Sequence, residues 1–208
     1  MFPSRRIITS GGDVYRDQYS LEFDGTNDYI DMSSKTAFSS IHNSNTGTVS
    51  AWIKLNDYTS GTNQAIVGNN AGTSSKRGFL VYFEAATDSI KLYLSGDSTD
   101  VNIGAGTVDI TDANWHHIAV VRASAPTTSF YLDGVLTESN TTAYTVDSGD
   151  ADYGLQIGSN GAGGITFDGK ISEVAIWNTA LTSGQVKQLY NGREPFDARN
   201  VAKSNLVS

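Results

Sequence analysis

Apolar residues in this chain fall mostly at every second position, in short runs separated by clusters of Gly, Ser, Thr, Asn and Asp. A period of two is that of a strand with alternate residues on opposite faces. Residues 47–55 alternate clearly: Val49, Ala51, Ile53 and Leu55 share one face, and Thr48, Ser50, Trp52 and Lys54 the other. Trp52 is expected to pack beneath a loop, with an open stacking platform as the alternative. Residues 78–84 and 89–94 read as an antiparallel pair, the second with Ile90, Leu92 and Leu94 inward and Lys91 and Tyr93 outward. Residues 115–122 form the longest apolar run around which the others pair. Both of its faces are apolar in the middle, as in a central strand covered on two sides. Asp133-Gly134 then sits between two apolar runs, the pattern of a hairpin whose turn needs positive φ at both central residues. Further strands are predicted on either side of Asp24-Gly25-Thr26-Asn27, at 64–68, at 153–158 and at 169–177. Residues 33–47, 56–63 and 96–106 read as loops. One helix is predicted near 182–191, with Thr182 as its cap, Gln185 completing a capping box, Val186, Leu189 and Tyr190 as its apolar stripe and Gly192 past its end.

Trp115-His116-His117-Ile118-Ala119-Val120-Val121-Arg122, followed by Phe130-Tyr131-Leu132-Asp133-Gly134-Val135-Leu136, resembles the core of the laminin G-like, concanavalin A-like jelly rolls. Three more stretches resemble the same family in the expected order: Leu21-Glu22-Phe23-Asp24-Gly25 with Asp28-Tyr29-Ile30, Val49-Ser50-Ala51-Trp52-Ile53-Lys54, and Phe167-Asp168-Gly169-Lys170-Ile171-Ser172-Glu173-Val174-Ala175-Ile176-Trp177-Asn178. Together they cover residues 19–192. The resemblance implies an all-β, two-sheet antiparallel jelly-roll sandwich with one short C-terminal helix. Residues 1–18 and 193–208 then read as terminal arms. A fold of this kind hosts many functions, so function has to be argued from a site.

Composition narrows the field. A length of 208 residues suits one β-domain. The net charge of −8 opposes a nucleic-acid partner, whose phosphates would be repelled. The absence of cysteine removes disulfides, thiolate metal sites and a cysteine nucleophile. No apolar run is long enough to span a membrane, so no membrane partner is expected. Arg5 and Arg6 are not followed by an apolar stretch, so no export signal is expected.

Catalytic patterns are missing where the family would place them. Retaining glycosidases of this fold carry two nearby carboxylates in an E-x-D-x-E strand. The five glutamates here, Glu22, Glu84, Glu138, Glu173 and Glu194, are scattered. His116 and His117 are neighbours on one strand and face opposite ways, so they cannot hold one ion together; one is expected in the core and the other near the surface. His42 is a lone loop histidine. Gly158-Ser159-Asn160-Gly161 reads as a turn, and the acidic run at Asp147, Asp150 and Asp152 lacks the spacing of a helix-loop-helix calcium site.

Two positive signals remain. Phe-Asp-Gly occurs at 23–25 and again at 167–169, and the first and last strands of a jelly roll lie side by side. The resemblance implies a structural Ca²⁺ there, with Asp24, Asn27 and Asp168 as side-chain ligands. The second signal is aromatic. Tyr58, Tyr82, Tyr93 and Tyr144 are candidate sugar platforms, and Asn69, Asn70 and Asn102 candidate hydroxyl partners. The expected role is a non-catalytic, surface-exposed adhesion or decoration module of a bacteriophage or virus particle that binds a glycan or surface protein, its arms making oligomer or lattice contacts. A secreted or cell-surface carbohydrate-binding lectin is the alternative, and a glycoside hydrolase the least favoured reading. The expected location is the virion surface or the cell exterior.

Overall fold

The computed structural model describes residues 19–44, 46–70, 76–96, 100–104, 110–123, 127–144 and 149–207. The expected N-terminal arm, 1–18, and Asp147 lie outside them. Among the described residues twelve strands are formed: β1 (Leu21–Asp24), β2 (Ile30–Asp31), β3 (Thr46–Leu55), β4 (Gln64–Gly68), β5 (Gly78–Glu84), β6 (Ser89–Ser95), β7 (Asp100–Gly104), β8 (His116–Ala123), β9 (Thr128–Leu132), β10 (Val135–Asn140), β11 (Gln156–Ile157) and β12 (Asp168–Trp177). They make two six-stranded sheets, ordered β1-β12-β3-β8-β9-β10 and β2-β11-β4-β5-β6-β7. Every strand pairing is antiparallel.

The alternation in sequence becomes the core between the sheets. Val49, Ala51, Ile53, Ile118 and Val120 of the first sheet meet Phe79, Val81, Phe83, Ile90, Leu92 and Leu94 of the second. Asp133 and Gly134 both have positive φ, 51° and 74°, and close the β9–β10 hairpin as their sequence predicts. Two elements depart from expectation. The short helix α1 (Ser40–Asn43) and strand β7 fall in stretches read as loops. Both are too short to carry a periodic signal; β7 exists because β6 offers it a ladder. Conversely, the strand predicted at 153–158 shrinks to the two residues of β11. Gly158 takes φ 83° there, and a Cβ on it would fall 2.3 Å from the Phe23 ring.

The first sheet is apolar on its outer face too. Ala119, Val121, Tyr131, Ala175 and Trp177 lie there, covered by Leu181, Val186, Leu189 and Val201. Helix α2 (Ser183–Tyr190) supplies part of this cover. Its Thr182–Gln185 capping box is formed as predicted, and Asn191 and Gly192 both turn left-handed at its end. Trp52 is buried and stacks on Tyr190, with ring centres 5.8 Å apart. Residues 193–207 supply the rest of the cover. The indole Nε1–H of Trp177 donates to the Val201 carbonyl (2.8 Å), Val207 N–H to Ile176 O (2.8 Å) and Asn178 N–H to Asn205 O (2.9 Å). The segment expected as a C-terminal arm is therefore a docked layer. The cause is the apolar second face of β3, β8 and β12, which has to be kept from water.

The two histidines do face apart. His117 turns under α2, against Trp52 and Tyr190. Its Nε2 shares a 2.9 Å hydrogen bond with Ser50 Oγ, while Nδ1 has no partner in the core. Burial pushes its pKa down to about 4. The Ser50–His117 distance would suit a nucleophile and base, but both side chains are sealed from solvent. His116 is held between Asp133 Oδ2 and Asp112 Oδ1, each 3.1 Å from a ring nitrogen. The bond to Asp133 raises its pKa, outweighing partial burial, and Asp112 adds to the effect. Asp133 Oδ1 also accepts the His117 amide (2.9 Å), so the charged ring ties the hairpin tip to the start of β8.

Two outcomes are expected. Leu189→Ala should cost about 2–5 kcal/mol in urea unfolding, whereas the exposed Lys187→Ala should cost about 0.5 kcal/mol or less. The histidines should give opposite pH limbs. The contribution of His116 is complete below its unfolded pKa of about 6.5 and is lost as pH rises through its higher folded value. That of His117 is complete above about 6.5 and is lost as pH falls towards about 4. Unfolding free energy measured across pH should lose its alkaline decline in His116→Gln and its decline between these two acid values in His117→Gln. Unchanged limbs would contradict these assignments.

Candidate functional site

The two Phe-Asp-Gly turns meet. β1 lies against β12 with Asp24 opposite Asp168 and Phe23 opposite Gly169. Phe23 and Phe167 pack edge to face in the core, ring centres 6.2 Å apart. Gly25 N–H donates to Phe167 O (3.0 Å), and a Cβ on Gly25 would come within 2.9 Å of the Asp168 Cβ. Only glycine permits that approach. One carboxylate oxygen of each aspartate already serves the turns. Asp24 Oδ1 accepts from the Thr26 and Asn27 amides (2.8 and 3.4 Å), and Asp168 Oδ1 from Asn56 Nδ2 (2.8 Å). Asn27 is exposed beside them. Ca²⁺ takes six to eight oxygens. Among the described residues no group of three or more acidic or histidine side chains converges as a metal set. The side chains alone do not make a calcium cage, and a cation here would depend on turn carbonyls and water.

The aromatic candidates separate. Tyr144 is buried, with the Arg122 guanidinium 5.7 Å from its ring centre. Tyr58 packs on the edge of the main core. Tyr82 and Tyr93 come together on the outer face of the second sheet, with Ala65, Leu80 and Ile165. The register explains this: Leu80 lies opposite Tyr93 and Tyr82 opposite Lys91, so outward side chains of β5 and β6 meet in one patch. Tyr82 is 6% exposed and recessed, whereas Tyr93 is partly open.

Glu84 and Lys91 complete this patch. Lys91 Nζ is 3.4 Å from Glu84 Oε2. Thr87 Oγ1 donates to the same oxygen (2.7 Å), and the Tyr82 hydroxyl to Oε1 (3.4 Å). Burial works to raise the Glu84 pKa, but Thr87, Lys91 and Tyr82 together hold it below the ordinary value, so it stays a carboxylate. These two residues were not among those singled out from the sequence. The outward parity of Lys91 was legible, but its pairing with Glu84 follows from the β5–β6 register. Asn102 is opposite Tyr93 by backbone register; its side chain lies outside the described set.

Asn69 and Asn70 do not belong to the patch. Both are fully buried. Asn69 Oδ1 accepts from the Phe79 amide (2.9 Å), and Asn70 Nδ2 donates to Lys76 O. They shape the chain between β4 and β5, and burial removes them as sugar ligands. Of the acidic loop, Asp152 Oδ2 accepts from the Arg77 amide (2.6 Å) and Asp150 Oδ2 from Thr36 Oγ1 (3.1 Å). His42 is buried, its Nε2 3.1 Å from Gly149 O. These side chains help hold the loop to the sandwich.

A cleft of about 440 Å³ opens at the opposite margin, beside β12. β1 covers the edge of β12 up to Ile171, and Leu206 bridges to Trp177, which leaves the stretch between them for the cleft. Its walls include Leu21, Met32, Leu155, Ile157, Val174 and Val207. This lining is mostly aliphatic, with Phe38 among it and Ser172, Glu173, Asp197 and Arg199 as its polar members.

Comparison with known proteins agrees with this architecture. The family description of the concanavalin A-like lectin/glucanases superfamily (Laminin_G_3) matches residues 24–187. No curated relative matches the sequence. Among solved structures, a SAP-like pentraxin from Limulus polyphemus superposes with a TM-score of 0.56 at 18% identity, covering 82% of this chain and 81% of its own. The CBM40 of a Ruminococcus gnavus IT-sialidase, bound to α2,3-sialyllactose, gives 0.61 at 13% identity, covering 83% and 98%. Domain 4 of the extracellular arabinanase AbnA from Geobacillus stearothermophilus, in complex with arabinotriose, gives 0.58 at 20% identity, covering 81% and 86%. These likenesses are of fold. With four motif stretches in order, two antiparallel sheets and a family match over most of its length, the chain belongs to the concanavalin A-like lectin/glucanase superfamily.

Proposed function

We propose that this protein is a non-catalytic glycan-binding module whose ligand lies on the outer face of the second sheet, against Tyr93 and beside the recessed Tyr82. The observation that carries this is a partly open tyrosine, Tyr93, backed by Tyr82 and set beside a carboxylate–ammonium pair outside the main core. An aromatic ring offers an apolar platform to a sugar's C–H face, and Glu84 and Lys91 offer an acceptor and a donor to its hydroxyls. Same-fold structures holding sialyllactose and arabinotriose support the reading. The placement of the five glutamates supports a binding role over hydrolysis: Glu22, Glu84, Glu138 and Glu173 stand on four different strands and Glu194 beyond α2.

Two finer parts belong to the same proposal. The first is its setting outside a cell, on the surface of a virus or bacteriophage particle in the form expected from the sequence. The second is a structural Ca²⁺ at the paired turns of Asp24 and Asp168, with Asn27 beside them.

On a glycan array followed by calorimetry, Tyr93→Ala should weaken binding of the best ligand about tenfold or more, about 1.4 kcal/mol. Tyr58→Ala should leave it within about twofold, about 0.4 kcal/mol. Equal binding by Tyr93→Ala would move the site elsewhere. For calcium, titration of chelated protein should release heat and raise the melting temperature, and Asp24→Asn with Asp168→Asn should abolish both; a thermally silent titration discards the metal. Size-exclusion chromatography with negative-stain microscopy addresses the setting: glycan-silent oligomers would favour a purely structural particle role.

A further inference from the structure

We infer that the outer face of the second sheet selects an uncharged oligosaccharide and excludes sialylated or uronate-bearing glycans by charge. The inference rests on the glycan-binding reading of that face and adds the class of ligand. The six strands of the sheet carry one basic residue, Lys91, against Asp31 and Glu84. They carry no arginine, whose planar fork is the side chain best matched to a carboxylate.

Lys91 is already committed. Its ammonium lies 3.4 Å from Glu84 Oε2, and both side chains are largely buried, 12% and 20% exposed. Glu84 is in turn fixed by Thr87 and Tyr82. A sugar carboxylate would have to displace Glu84 from Lys91 and leave that carboxylate, in a partly desolvated place, without its counter-ion. It would also sit beside a like charge, which costs far more there than in water. Arg77, just before β5, offers no ready substitute. It is packed against the acidic loop, where a Cβ on Gly149 would fall 2.5 Å from its Nε. The net charge of −8 adds a long-range repulsion of any anion.

A neutral sugar meets none of these penalties. It keeps the Glu84–Lys91 pair intact and uses its spare lone pairs and N–H groups, while Tyr93 takes the ring. The sialyllactose-bound CBM40 shares the fold at 13% identity, so the fold leaves this preference open and the charges of the face decide it.

The test is an array that pairs neutral oligosaccharides, lactose and arabinotriose among them, with sialylated and uronate-bearing counterparts, followed by calorimetry on the strongest pair. Neutral forms should bind about tenfold or more tighter than their charged partners. Their affinity should change less than about twofold when NaCl rises from about 0.05 to 0.5 M, because no ion pair is made. Glu84→Gln frees Lys91 and should narrow the discrimination at least about fivefold. Preference of the unmodified protein for sialylated forms, binding that weakens steeply with salt, or a folded Glu84→Gln protein with unchanged discrimination would each overturn the inference while leaving glycan binding intact. The salt series needs no substitution and decides the point even if Glu84→Gln fails to fold. An array silent for every sugar would instead overturn the glycan-binding reading itself, and this inference with it.

Discussion

The structure depends on keeping both faces of one sheet out of water. β3 is buried along nearly its whole length, and the middle of β8 likewise. One face is covered by the second sheet, which any sandwich provides. The other needs a layer of its own. α2 and residues 193–207 provide it, and the indole N–H of Trp177 bonded to Val201 O pins the layer at its centre. The apolar gain from that cover comes with satisfied polar groups: Thr48 Oγ1 donates to Thr179 O (2.8 Å) and Ser50 meets His117 (2.9 Å). A buried hydroxyl without such a partner would cost much of what the apolar contacts contribute.

The second sheet solves the same problem differently. Among the described residues its outer face carries a small apolar cluster around Leu80 and Tyr82, and next to it an ion pair and a partly open tyrosine. The asymmetry divides the molecule. One outer face is structural and closed by the chain's own C-terminal residues. The other mixes rings and charges, which is the chemistry that can meet a ligand from solution.

Adjacent residues can be driven to opposite ends of their chemistry by strand parity alone. His116 and His117 differ by one position on β8, and alternation sends one between two carboxylates and the other into an aromatic pocket. The first is favoured as an imidazolium because both ring nitrogens meet carboxylate oxygens. The second stays neutral because one nitrogen meets only Ser50 and the other nothing. Neither is placed for catalysis; both hold elements together.

The sequence by itself determined the sheet-forming segments, the hairpin at Asp133-Gly134 and the capping box of α2. Those signals are local: a period of two, a turn that needs positive φ, a side chain that reaches three residues along. It also brought the two Phe-Asp-Gly turns into one expected place, because the order of motifs implied that the first and last strands are neighbours. Only the tertiary structure decided which outward residues share a face. Tyr82 and Tyr93 were legible as aromatic candidates, yet so were Tyr58 and Tyr144, which the fold tucks against the core and under Arg122. Glu84 and Lys91 became partners through the register of β5 on β6, and the last fifteen described residues became a wall because an apolar face was waiting for them. Register and burial are sums over the whole chain, and no local stretch contains them.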